Sequence, residues 1–168
     1  KAAKILPDAV YITSPDYLGS VSDISGLSKV CHKHGVPLLV DNAHGAYLAF
    51  TEPSMHPIAL GADMCCDSAH KTLPVLTGGA YLHISNSYEA SEDEVRSALA
   101  LFASTSPSYL ILQSLDLCNA YLSDGYSQKL SECIKKLSAL SERLASLGFE
   151  SEQTEPLKGY YEKQGKLK

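Results

Sequence analysis

A chain of 168 residues is long enough for one domain with its own core and too short for two large ones. With 45% hydrophobic and 20% charged residues, the composition is that of a globular protein and excludes a disordered one. A net charge of -5, with no basic run before the tail, argues against a nucleic-acid surface, where clustered positive charge must offset phosphate.

The first element in chain order is an apolar strand at 9–13 (AVYIT), ended by the Pro/Gly turn SPDYLGS. From Asp23 to His34 the apolar Ile24, Leu27, Val30 and Cys31 keep helical spacing, with Gly35 as the stop. A second strand, VPLLV at 36–40, lacks polar alternation, which predicts the interior of a parallel sheet covered on both faces. DMCCDS at 63–68 and GAYLHIS at 79–85 read as further strands. Strand, helix, strand at this spacing makes the front half α/β, a mostly parallel sheet flanked by helices. The back half is helical, over 92–101, 109–122 and 127–147. In the last of these, Leu130, Ile134, Leu137, Leu140, Leu144 and Leu147 form one stripe, expected to pack on a neighbouring domain or sheet. The expected division is a main unit over 1–148 and a tail or linker over 149–168.

No stretch approaches the about 18 apolar residues of a membrane span, and no charged-then-apolar leader opens the sequence, so a cytoplasmic location is expected. The five cysteines are an odd number without a CxxC pair, which fits buried reduced thiols. No metal-ligand set of suitable spacing stands out. CHKH at 31–34 reads as a helix end, and His32, His34, His56 and His83 read as structural or solvated.

Two oddities remain. Asp41 ends an apolar strand and is followed by Ala43 and His44. Lys71 follows Ser68 and His70 where another strand stops. In an open α/β sheet, ligands bind beyond the carboxyl ends of the strands, so both groups fall on one rim. A carboxylate, a hydroxyl with an imidazole, and an amine match a protonated ring nitrogen, a phosphate and an aldehyde. Pyridoxal phosphate carries those three groups. The ordinary readings are a surface lysine at 71, a capping aspartate at 41, a structural histidine at 44 and an N-cap at Ser106.

The segments VDNAHGAYLAF, GADMCCDSAHKTLPVLTGGAYLH and STSPSYLILQSLD resemble the major domain of the ornithine/lysine/arginine decarboxylases, fold-type I pyridoxal-phosphate enzymes. The resemblance runs from about Val10 to Leu147. It implies that Lys71 forms the internal aldimine, Asp41 holds the ring nitrogen protonated and Ala43 packs on the ring face. Ser68 and His70 would contact the phosphate, His44 would line the substrate side, and Thr13 and Ser14 would lie near the cofactor. Thr105, Ser106 and Ser108 resemble a segment that reaches the phosphate of a neighbouring subunit, which implies a homodimer with shared sites. The implied activity is decarboxylation of lysine, ornithine or arginine.

The sequence departs from the family pattern at Asn42, where an acid is usual, and at Gly78 and Gly79, where a bulkier polar pair is usual. It also lacks the stretches expected before its first strand and after its last helix. An incomplete portion of the large domain is therefore expected. The alternatives are an inactive fragment of such an enzyme, or another fold-type I activity such as an aminotransferase or lyase.

Overall fold

The computed structural model describes residues 6–104 and 106–149. Strands β1 (Val10–Thr13), β2 (Leu38–Asp41), β3 (Met64–Asp67) and β4 (Tyr81–Ile84) form one sheet in that order. β1 pairs with β2, and β2 with β3, in parallel; β4 runs antiparallel on the edge. Among the described residues five helices accompany them: α1 (Ile24–Lys33), α2 (Ala69–Thr72), α3 (Glu92–Ala100), α4 (Tyr109–Ser123) and α5 (Tyr126–Ser146). A 3-10 turn spans Ala46–Phe50.

Helix α1 begins where Asp23 accepts a hydrogen bond from the Gly26 amide at 3.1 Å, satisfying one of the free amides of the first turn. Its buried face, Ile24, Ser28 and Cys31, packs with Leu38 and Val40 of β2 and with Ala62 and Cys65. Leu38 and Val40 are almost fully buried, each burial stabilising by about 1.5–3 kcal/mol. His32 closes this end by donating to Asp63 at 2.8 Å, and Asp63 also accepts from the Leu38 amide at 2.7 Å. The His-rich helix end is therefore a tie between helix and sheet.

A second cluster forms beyond the strand ends, where Ala46, Ala69, Leu73 and Cys118 pack with Tyr47, Val75, Tyr81 and Leu115. It joins the helical half to the sheet and fixes the short helix α2, which carries the lysine in question.

Three expectations need adjustment. β2 is not covered on both faces: Leu38 and Val40 are buried, but Leu39 and Asp41 are half-buried, and the neighbouring Tyr11 and Cys66 are exposed on that side. The cause is that α1 covers one face while no described helix lies over the other. The five thiols are all free, but not all are buried as expected: Cys31, Cys65 and Cys118 are buried, whereas Cys133 is exposed and the pleat turns Cys66 outward while Cys65 faces in. The α5 stripe divides: Leu130 and Ile134 face Phe50 across a cleft, whereas Leu137, Leu140 and Leu147 are exposed. The expected tail falls on residues 150–168, outside the described residues. No helix among the described residues is long and apolar enough to cross a membrane.

Candidate active site

Parallel pairing sets Asp41 beside Thr13 on one side and Cys66 on the other, so the chain leaves β1, β2 and β3 along one rim. The Asn42 amide donates to the Cys66 carbonyl at 3.0 Å, holding the Asp41–His44 loop against the start of the Ser68–Lys71 turn. Two segments separated in sequence thereby meet, because the strands that carry them are neighbours.

Asp41 lies on the open face. Its carboxylate accepts from the Ala43 amide at 3.0 Å and from the Tyr11 hydroxyl at 3.3 Å. A carboxylate offers about four lone-pair positions, so capacity for another donor remains. Burial and the Asp41 charge both push the Tyr11 hydroxyl above its ordinary value, keeping it a neutral donor. His44 follows on the same loop. Its ring meets Tyr17 edge-on at 5.7 Å, and its buried Nδ1 has no partner among the described residues. A buried polar atom without a partner is costly, and such atoms concentrate at functional sites.

On the second segment Ser68 is half-buried and opens α2, and Lys71 is exposed with no bonded partner among the described residues. His70 is fixed more firmly: its amide donates to the Gly79 carbonyl at 3.2 Å and its Nδ1–H to the same oxygen at 3.0 Å. A carbonyl can only accept, so the proton on Nδ1 is defined and Nε2 is left for another partner.

The glycine pair has a structural cause in this chain. Gly78 has φ +97°, a left-handed conformation that side chains with a Cβ rarely adopt. At Gly79 an added Cβ would collide with Val75 Cγ1 and press on the Leu76 carbonyl at 3.3 Å. Gly79→Ala is expected to cost about 1–3 kcal/mol, read as a lowered urea midpoint, because the loop that anchors His70 must shift.

The other sequence-derived residues are placed less centrally. Thr13 is exposed at the end of β1. Ser14 is buried, with Oγ accepting from the Ser22 amide at 3.0 Å, so its hydroxyl oxygen serves the turn. Ser106 and Ser108 are exposed before α4, where Ser108 is the N-cap residue without a side-chain cap bond. Thr105 lies outside the described residues. An apolar cavity of about 400 Å³ opens among Thr72, Pro74, Leu117, Cys118, Tyr121 and Tyr126, and its lining includes neither Asp41 nor Lys71.

Sequence reasoning missed the group beneath the rim. Asp67, the last residue of β3, is buried and accepts from Asn42 Nδ2 at 2.6 Å, His83 Nε2 at 3.0 Å and His56 Nε2 at 3.2 Å. Burial alone would raise its carboxyl, but the bonds from the two imidazoles and the amide outweigh that and hold it well below the usual carboxylate range. One available signal was an acid inside an apolar strand, which must have partners. Asn42, the departure from the family pattern, is the neutral donor that Asp67 needs; an acid there would face another carboxylate.

The family model for the major domain of Orn/Lys/Arg decarboxylase matches residues 1–160. An uncharacterized Bacillus subtilis protein, YaaO, is 38% identical over 151 residues, covering 88% of this chain and 32% of its own length. The arginine decarboxylase of the same organism is 33% identical over 141 residues, covering 82% of this chain and 29% of its own. The chain thus spans about a third of the length of these relatives. Among solved structures, mouse CSAD superposes with a TM-score of 0.54 at 19% identity, over 88% of this chain and 33% of that one. A SepCysS–SepCysE N-terminal domain complex gives 0.60 at 16%, over 88% and 41%. At those identities the structural likeness establishes the fold.

Proposed function

Because the chain belongs to the Orn/Lys/Arg decarboxylase family, we propose that it forms the cofactor-holding part of a pyridoxal-phosphate-dependent decarboxylase of basic amino acids. The observation that carries this reading is the meeting of the Asp41–His44 loop and the Ser68–Lys71 turn at the ends of two neighbouring parallel strands. The donor set fits the cofactor. Asp41 retains lone-pair capacity, Lys71 has an amine without a bonded partner, and His70 has a free Nε2.

Pyridoxal phosphate, when bound, supplies an electron sink for the pair left behind by a departing carboxylate. The residues of this chain do the rest. Asp41 would hold a proton at the cofactor's heteroaromatic nitrogen by charge and hydrogen bonding. Ala43, small and half-buried beside it, leaves room for a ring to lie against the loop. Ser68 Oγ would donate to the phosphate, and His70 would join it through Nε2, since its Nδ1–H is already held by the Gly79 carbonyl. Lys71 would supply the amine that anchors the cofactor's aldehyde and, as a free amine, would hold a proton beside the substrate α-carbon. His44 lines the substrate side of the same loop.

A second copy of the chain completes the proposed site through Thr105, Ser106 and Ser108. In support, Leu99, Leu101, Phe102, Tyr109 and Leu110 surround that segment and are all exposed, Phe102 at 92%. An apolar patch of this kind is a feature of interfaces.

The reading is tested by supplying pyridoxal phosphate with arginine, lysine, ornithine or glutamate and measuring released carbon dioxide. Release from at least one basic amino acid is expected. Conversion to a keto acid without carbon dioxide would replace this reading with an aminotransferase.

A further inference from the structure

The cluster beneath the rim has a second chemical capacity, independent of pyridoxal phosphate. His56 Nε2 and His83 Nε2 converge on one oxygen of Asp67, and the three ligand atoms lie within 4.8 Å of one another. We propose that His56, Asp67 and His83 bind one divalent ion of the zinc class, Zn²⁺, Co²⁺ or Ni²⁺.

The geometry supports this in several ways. Metal bonds of about 2.0–2.2 Å to nitrogen and oxygen place tetrahedral ligand atoms about 3.3 Å apart. The two distances from Asp67 to the histidines, 3.2 and 3.0 Å, are already near that spacing, and the two imidazole nitrogens lie within 4.8 Å of each other. Two imidazoles and a carboxylate suit borderline ions, whereas Mg²⁺ and Ca²⁺ favour all-oxygen sets. Asp67 is already aimed, because Asn42 Nδ2 holds its other oxygen at 2.6 Å, the kind of outer bond that orients a ligating carboxylate. Cys65 Sγ lies 3.6 Å from His56 Nε2, and burial holds its thiol protonated, so it stays outside the ligand set. Access comes from His83, whose side chain is 39% exposed while those of His56 and Asp67 are 8% and 3%. Binding requires the Nδ1–H tautomer of both rings, which turns each Nε2 lone pair toward the ion. The three residues come from β3, β4 and the loop after the 3-10 turn, 11 and 16 positions from Asp67, so an ion would cross-link parts of the fold that share no continuous element.

The test uses chelator-stripped chain without pyridoxal phosphate. One equivalent of Co²⁺ is expected to give a visible ligand-field band that Zn²⁺ displaces, and Zn²⁺ is expected to raise Tm by several degrees. His83→Gln and Asp67→Asn are each expected to weaken Zn²⁺ binding about tenfold or more. His32→Gln, which removes the separate His32–Asp63 pair, is expected to leave binding unchanged. Should Asp67→Asn fail to fold, His83→Gln at the half-open ring decides. Absence of saturable one-to-one binding, or an affinity indifferent to His83→Gln, overturns the site and identifies the cluster as a metal-free hydrogen-bonded anchor.

Discussion

Replacing Lys71 with alanine is expected to abolish site-specific labelling by pyridoxal phosphate after borohydride reduction. In the unaltered chain, peptide mapping should place the stable adduct on Lys71, with only background on exposed lysines such as Lys29 and Lys33. The physical basis is position. All these amines can react, but only Lys71 lies on the same rim as a carboxylate with spare lone pairs and as the Ser68 and His70 donors. In the proposed site those groups would hold the ligand in place while the amine reacts, and proximity of that kind is what separates a site from a surface lysine. Lys71→Arg is expected to behave like Lys71→Ala, since a guanidinium keeps the charge but is not a usable nucleophile at neutral pH. Neither change should move stability by more than about 0.5 kcal/mol, because the side chain is exposed and unbonded among the described residues. Equal labelling of Lys71→Ala and the parent would place the cofactor elsewhere and remove the proposed function with it.

Asn42→Asp is expected to destabilise the chain by about 3–5 kcal/mol at pH 7, the range seen when a buried charge is left without compensation. Asn42 is 0% exposed, and its Nδ2 lies 2.6 Å from the Asp67 carboxylate. Its Oδ1 has no partner among the described residues, so no donor awaits a second carboxylate. Two carboxylates at that distance cannot both ionise, and one is held protonated at a cost that grows with pH. The sign follows: the pair's proton is bound more tightly in the folded state, so the penalty is small below about pH 4 and grows as pH rises above it. Urea titrations of parent and variant at pH 4.5 and 7 measure this directly, with the gap between their midpoints expected to widen at the higher pH. Adding Asp67→Asn to Asn42→Asp moves the acid across the pair, and recovery of part of the loss would show that the two positions are coupled. A gap that does not change with pH would mean that Asp67 is not the charge Asn42 answers.

Most of the scaffold was legible in the residues themselves because its signals are local. The strand ends at Thr13, Asp41 and Asp67 follow from short apolar runs closed by polar or turn residues. Helix α1 follows from the spacing of Ile24, Leu27 and Cys31 and from Asp23 ahead of them. Residues 41–44 and 68–71 were legible as a candidate site because unusual residue types sit at strand ends, and parallel pairing of β1 with β2 then follows from the βαβ order.

What the sequence did not determine depends on contacts between distant residues. That β4 turns antiparallel, that one face of β2 stays open, and that the α5 stripe is covered only in part are outcomes of packing among whole elements. The fate of Asp67 is the sharpest case. By sequence it is an acid in an apolar strand; in the fold it is the centre of a buried cluster with Asn42, His56 and His83, none within ten positions of it. Local periodicity is set by a residue's own backbone, but a buried charge is settled by whichever donors the tertiary structure brings within about 3 Å, and only the folded chain fixes those.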